Sequence, residues 1–180
     1  MKVLIVYESM FGNTHVVADA IAHGFGTGND TVVVPVAQAQ VGLLDGADLL
    51  VVGGPTHVHG MSRANTRKGA ADVARKPGSG RTLEAGAEGP GLREWFVGQR
   101  QDGMRAAAFD TRLEGPAVFT GRASKGIARL LREHGCTLVA RPESFLVTRD
   151  NQLCPGEQER ARVWGEKLAA MVVAAAGSSS

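Results

Sequence analysis

The 180-residue chain is poor in aromatic side chains, with six Phe, two Trp and one Tyr making up 5% of it, so a flat ligand would find few rings to stack on. Its two cysteines, Cys136 and Cys154, match no C-x-x-C or other metal or redox spacing, which makes a reducing cytosol the simplest setting. Acid and base nearly cancel: 20 Lys and Arg against 18 Asp and Glu leave a formal charge of +2, too little to imply nucleic acid. The apolar run over 168–176 falls far short of a bilayer span. Only five apolar residues separate Lys2 from Glu8, so no secretory signal is expected and a cytoplasmic, soluble protein is. The Gly-Lys-Ser/Thr ending of a Walker loop is missing, and so is the G-x-S-x-G elbow of serine hydrolases.

What is present is an alternation of strand and helix patterns. Residues 2–7 (KVLIVY) form a continuous β-branched run, the mark of a strand buried on both faces. Further strands are predicted over 31–35, 47–53 and 104–110, and a fifth over 137–147, interrupted near Pro142. Helical spacing predicts helices over 13–24, 124–134 and 157–176, the first two stopped by His-Gly pairs. Strands alternating with helices imply a parallel sheet covered on both faces, and five strands in this length favour a three-layer doubly wound α/β fold over a barrel. The whole is read as one domain over 1–176 with a tail over 177–180. A glycine- and proline-rich insert near 76–90 is read as a mobile surface loop, flanked by helices near 65–75 and 92–98.

In such folds ligands bind outside the carboxyl ends of the strands. The turn after the first strand, Ser9-Met10-Phe11-Gly12-Asn13-Thr14, leads directly into a helix. Free N–H groups, the positive helix end and hydroxyls on Ser9 and Thr14 would suit a phosphate, although capping alone also selects Asn or Thr there. After the third strand, Gly53-Gly54-Pro55-Thr56-His57-Val58-His59-Gly60 brings backbone close to whatever lies above it. Phe109-Asp110-Thr111-Arg112 is read as a third polar turn at the same edge.

Three such turns in order resemble the phosphate loop and the two flavin loops of the flavodoxins. "SMFGNT" and "GGPTHVHGMSRANTR" are most similar to small flavodoxin-domain proteins of the actinobacterial type. The resemblance implies a strand order of 2-1-3-4-5 and FMN as cofactor. It implies that Ser9, Gly12, Asn13 and Thr14 hold the FMN phosphate, with backbone from Met10 and Phe11. Pro55, Thr56, His57, Val58, His59 and Gly60 would line the isoalloxazine, and Phe109, Asp110, Thr111 and Arg112 would close over its other side. Met10 and Phe11 stand where flavodoxins usually carry hydroxyls, and neither flavin loop offers a Trp or Tyr. His57 or His59 is expected to stack instead, or Trp95 to approach from the insert.

Six basic residues (Arg63, Arg67, Lys68, Arg75, Lys76, Arg81) against one acid, Asp72, lie between Ser62 and Arg81. Cations near the flavin favour its reduced, anionic form and oppose the low potential of a carrier. The expected activity is therefore FMN-dependent oxidoreduction of a small acceptor, such as a quinone-type or porphyrinogen-type substrate, with NADH or NADPH as candidate donor. Two alternatives stay open: an electron-transfer flavodoxin docking on a redox partner protein, and a binding or regulatory module that has lost FMN. The insert is expected to act as a lid or as the contact of a homodimer. His57-Val58-His59 lacks the Cys, Asp or Glu neighbours of a zinc set, so no metal is expected. Gly24–Gly28 mimics a dinucleotide fingerprint but follows a helix rather than a strand.

Overall fold

The structure is a computed structural model and describes residues 1–97 and 100–177. Strand β1 (Lys2–Tyr7) sits at the centre of a parallel sheet, between β2 (Asp30–Pro35) and β3 (Leu49–His57). Beyond β3 lies β5 (Arg105–Leu113), and on its far side β6 (Thr137–Leu138) and β7 (Glu143–Val147) pair with it in succession. Counting only the strands of the parallel sheet, with β6 and β7 taken as one interrupted strand, the order is 2-1-3-4-5. The break falls where Pro142, which has no N–H to give a ladder, precedes β7. β4 (Gly60–Met61) folds back antiparallel on β3.

Alternation along β1 explains the two covered faces. Val3, Ile5 and Tyr7 point into a core shared with α1 (Asn13–Phe25) and α6 (Glu157–Gly177), alongside Phe109, Phe145 and Trp164. Leu4 and Val6 point the other way, toward α5 (Ala123–Glu133) and α3 (Leu92–Phe96). Each such large apolar side chain, fully buried, contributes roughly 1.5–3 kcal/mol. Two short helices, α2 (Ala64–Ala74) and α4 (Ala117–Thr120), flank the sheet's carboxyl edge. No helix among the described residues is long and apolar enough to cross a membrane.

Several expectations need correction. Gly24 does not stop the first helix, which runs to Phe25; it lies inside the helix, where a Cβ would meet the Arg162 carbonyl oxygen at 2.0 Å on α6. Gly24 and Gly165 are therefore contact residues that let two backbones approach, and the chain leaves α1 through Gly26 at φ 71°. The third strand runs on through His57, and 57–60 is a hairpin rather than an open turn. The fourth runs on through Leu113, so 109–112 is strand, and the turn starts only at Glu114. The insert has neither helix nor strand over 77–91 apart from turns, yet it is anchored at several points described below. Gly98, the expected end of a short helix, and residues 178–180 of the tail lie outside the described residues.

Candidate cofactor site

Gly12 adopts φ 91°, a left-handed conformation open to glycine, and so turns the chain from β1 into α1. Its N–H donates to Ser9 Oγ at 3.1 Å. The first helical bond runs from Val16 N–H to the Gly12 carbonyl, leaving the amides of Asn13, Thr14 and His15 without acceptors inside the helix. They point out of a helix N-terminus beside a pocket of about 160 Å³ at the carboxyl edge of β1, β3 and β5.

Of the expected first-loop residues, Ser9, Met10, Phe11, Asn13 and Thr14 line this pocket, and Gly12 does not. Pro55, Thr56 and His57 come from β3, and Thr111 and Arg112 from β5. Val58, His59 and Gly60 form the hairpin beyond its rim and do not line it. Phe109 does not approach it at all: the ring is fully buried and packs edge-on to Phe145 and Trp164. Asp110 is equally buried on the other face. It accepts from Ser124 N–H at 2.7 Å and Thr56 Oγ1 at 3.3 Å, so it fastens β5 and β3 to the start of α5. Burial holds its carboxyl above the usual range.

The lining is rich in donors and free of carboxylates. Thr14 Oγ1 and Thr111 Oγ1 share a hydrogen bond at 2.8 Å, tying the loop to β5. Arg112 Nη1 donates to the carbonyls of Leu113 and Gly115 and to Thr120 Oγ1, which fixes the guanidinium at the pocket wall. Its Nε is buried and has no partner. Free amides, hydroxyls and an orphaned guanidinium nitrogen are the donor set an oxyanion requires. His57 stands at the boundary of the pocket; burial, with help from Arg67, holds its imidazole below the ordinary value, and Glu8 opposes the shift.

Met10 and Phe11 have a structural role in place of the expected hydroxyls. The buried Met10 gives its carbonyl to Glu84 N–H at 2.9 Å, and the Arg81 guanidinium lies over the Phe11 ring at 5.7 Å. Glu84 Oε1 also reaches His15 Nδ1 at 2.6 Å, while the His15 ring stacks on Tyr7 at 4.6 Å. The insert is thereby clasped onto the loop. Burial, then Glu84, pushes the Tyr7 hydroxyl well above its usual pKa. Trp95 does not reach the pocket: it packs on Phe96 and donates to the Ala39 carbonyl at 2.8 Å.

Sequence reasoning missed Leu113, Val147 and Asn151, which also line the pocket. Asn151 accepts from Asn13 Nδ2 through its backbone and side-chain oxygens, at 3.0 and 3.3 Å, from a loop beyond β7 that no strand-end rule singled out. It also missed Phe119, which is 73% exposed in α4, the helix that Gly121 joins to His59 through a β-bridge. The Gly-Pro pair at 115–116 was the available signal that the turn begins there. No group of three His, Cys, Asp or Glu among the described residues could hold a metal ion.

A doubly wound parallel sheet with an oxyanion-donor loop after its first strand defines a mononucleotide-binding α/β protein. The Flavodoxin family model matches residues 5–109, and the chain belongs to that family, whose cofactor is FMN. Among solved structures it is similar to a flavodoxin from the domain Archaea, at 21% identity and TM-score 0.65, over 96% of this chain and 99% of that one. Oxidised Flavodoxin 1 from Bacillus cereus follows at 20% identity and TM-score 0.63, over 96% and 97%. A WrbA-like flavodoxin from Agrobacterium tumefaciens has 20% identity and TM-score 0.61, over 95% and 96%. No curated protein matches the chain.

Proposed function

We propose that the protein is an FMN-dependent oxidoreductase that reduces a small quinone-type acceptor. The observation that carries this reading is electrostatic: the pocket lining holds Arg112 and no carboxylate, and Arg81 stands over the phosphate loop. When bound, FMN supplies two-electron redox chemistry: electrons from NADH or NADPH pass to the quinone, which takes up two protons and leaves as the quinol. Ser9, Asn13, Thr14 and Thr111 hold the phosphate with the amides of the first α1 turn, and Arg112 balances its charge. A pocket of about 160 Å³ is smaller than the 300 Å³ or more of typical ligand sites, so the ring system lies at the mouth. There His57, the 58–60 tip and Phe119 flank it. His57, neutral near pH 7, is the group placed to exchange a hydrogen bond with the ring or the acceptor.

A second reading, an electron carrier docking on a redox protein, draws on the exposed Val58, Val118 and Phe119 around that mouth. An absorption titration with FMN, followed by NADH or NADPH and then menadione, tests both. The enzyme reading expects a yellow complex that NAD(P)H bleaches and menadione restores over many turnovers. A yellow complex inert to both nucleotides selects the carrier. A protein that stays colourless at saturating FMN removes both.

A further inference from the structure

His57 also lines a second cleft, of about 350 Å³, between the β3–β4 hairpin, the first turn of α2 and α3. Val58, Gly60 and Met61 give it apolar lining, and among the described residues its charged lining groups are Arg63 and Arg93. Arg93 Nε donates to the Ser62 carbonyl at 3.0 Å, which orients the guanidinium and leaves its terminal nitrogens free for other acceptors. Among the described residues neither arginine pairs with a carboxylate, whereas their neighbours Arg67 and Arg75 do. Of the nearby acids, Glu94 holds Arg67 and Gly91 N–H, and Glu8 takes Leu92 N–H with Oε2 while its Oε1 is buried without a partner. Arg93, oriented by the Ser62 carbonyl, and the exposed Arg63 border one concave, partly apolar surface, and two guanidiniums without carboxylate partners there form a receptor for an oxyanion attached to a flat or aliphatic body.

We propose that this cleft is the acceptor's anion subsite. It holds a carboxylate or phosphate between Arg63 and Arg93, while the reducible part of the molecule lies toward His57, at the wall shared with the cofactor pocket. The inference rests on the oxidoreductase reading above and adds to it that the physiological acceptor is anionic.

Two naphthoquinones of different charge test it. FMN-loaded protein, reduced anaerobically, is mixed with neutral menadione or with 1,4-naphthoquinone-2-sulfonate, whose sulfonate stands in for the oxyanion. The sulfonate is expected to saturate at the lower concentration. R63A/R93A raises its half-saturation by roughly tenfold or more, the scale of lost charge-assisted bonds, and leaves the half-saturation for neutral menadione unchanged. R63K/R93K restores part of the loss. Succinate and inorganic phosphate are added as competitors: inhibition by either supports the subsite and tells which oxyanion it prefers, and inhibition by neither overturns it. Equal losses with both quinones, or none with the sulfonate, also overturn it. Calorimetry of the sulfonate with FMN-free protein separates the two levels. Binding that disappears in R63A/R93A keeps the subsite even if the flavin reading falls, and absence of binding there together with absence of the kinetic preference removes it.

Discussion

Val58 and His59 are the two central residues of the hairpin between the paired His57 and Gly60, at φ 45° and 69°. Such a turn normally takes Asn-Gly, because a β-branched side chain in the left-handed region is strained by about 1–3 kcal/mol. Strain of this kind persists where the surrounding structure over-determines it, and here the tip is clamped by the bridge to Gly121, where even a Cβ would meet the His59 backbone at 2.2 Å. Replacing Val58-His59 by Asn-Gly is therefore expected to stabilise the fold by about 1 kcal/mol in urea denaturation and to weaken FMN binding. Lower stability would refute the strain, and unchanged FMN affinity would refute a role at the flavin. Next to it, His57 carries the pH dependence. Burial lowers its folded pKa, so below about pH 6.5 the unfolded chain takes up the proton first. Stability should fall as pH drops from 6.5 toward the folded value, and His57→Gln should flatten that stretch of the profile. An imidazole titrating at or above 6.5 by NMR would reverse the sign of the expectation.

At the scale of elements, the closest contact is α1 against α6. Gly24 and Gly165 face each other: a Cβ on the first would lie 2.0 Å from the Arg162 carbonyl oxygen, and on the second 2.2 Å from that of Ile21. Backbone atoms cannot rotate aside, so Gly24→Ala is expected to push the helices apart and destabilise by about 1–3 kcal/mol in thermal or urea unfolding. The usual gain of helix propensity for alanine, about 1 kcal/mol, would dominate instead if the contact were loose, and a stabilised variant would show that. This pair also marks how far the sequence could be read. Strong periodic signals placed β1, α1, β5, α5 and α6 within a few residues, because burial on both faces of β1 or on one face of a helix imposes a pattern. Where a residue's role depends on a distant partner, the pattern says nothing. Gly24 looked like a stop because α6 is far away in sequence. Phe109 looked like part of a turn because only Phe145 and Trp164 reveal it as core. The first loop was legible as a turn into a helix with free amides and hydroxyls, while Asn151 and the Glu84 clasp on Met10 and His15 needed the fold to bring them there.

Across the whole molecule the basic excess is unevenly distributed. The run from Ser62 to Arg81 is not one solvated face: Arg67 is buried against Glu94, and Arg75 pairs with Asp72 and Glu88. Four arginines that make no ion pair among the described residues lie at one edge of the sheet, with Arg81 over Phe11, Arg112 in the pocket wall, and Arg63 and Arg93 in the adjoining cleft. A unit charge 10 Å away at an effective dielectric near 20 is worth about 1.7 kcal/mol, so several of them together favour the reduced, anionic flavin and raise its potential. The two kinds of cation respond differently to salt. Arg63 and Arg81 are exposed and lie within reach of a Debye length of about 10 Å at 0.1 M. Arg112 is partly buried and fixed by three acceptors. A redox titration of the FMN complex should therefore give a potential above that of acidic low-potential carriers, drifting downward with added salt as the surface charges are screened. Arg112→Gln should lower it further, by an amount that survives at high salt. A potential already low in the wild type, or an Arg112→Gln shift that vanishes with salt, would mean that the edge cations do not set the chemistry and would return the protein to the carrier reading.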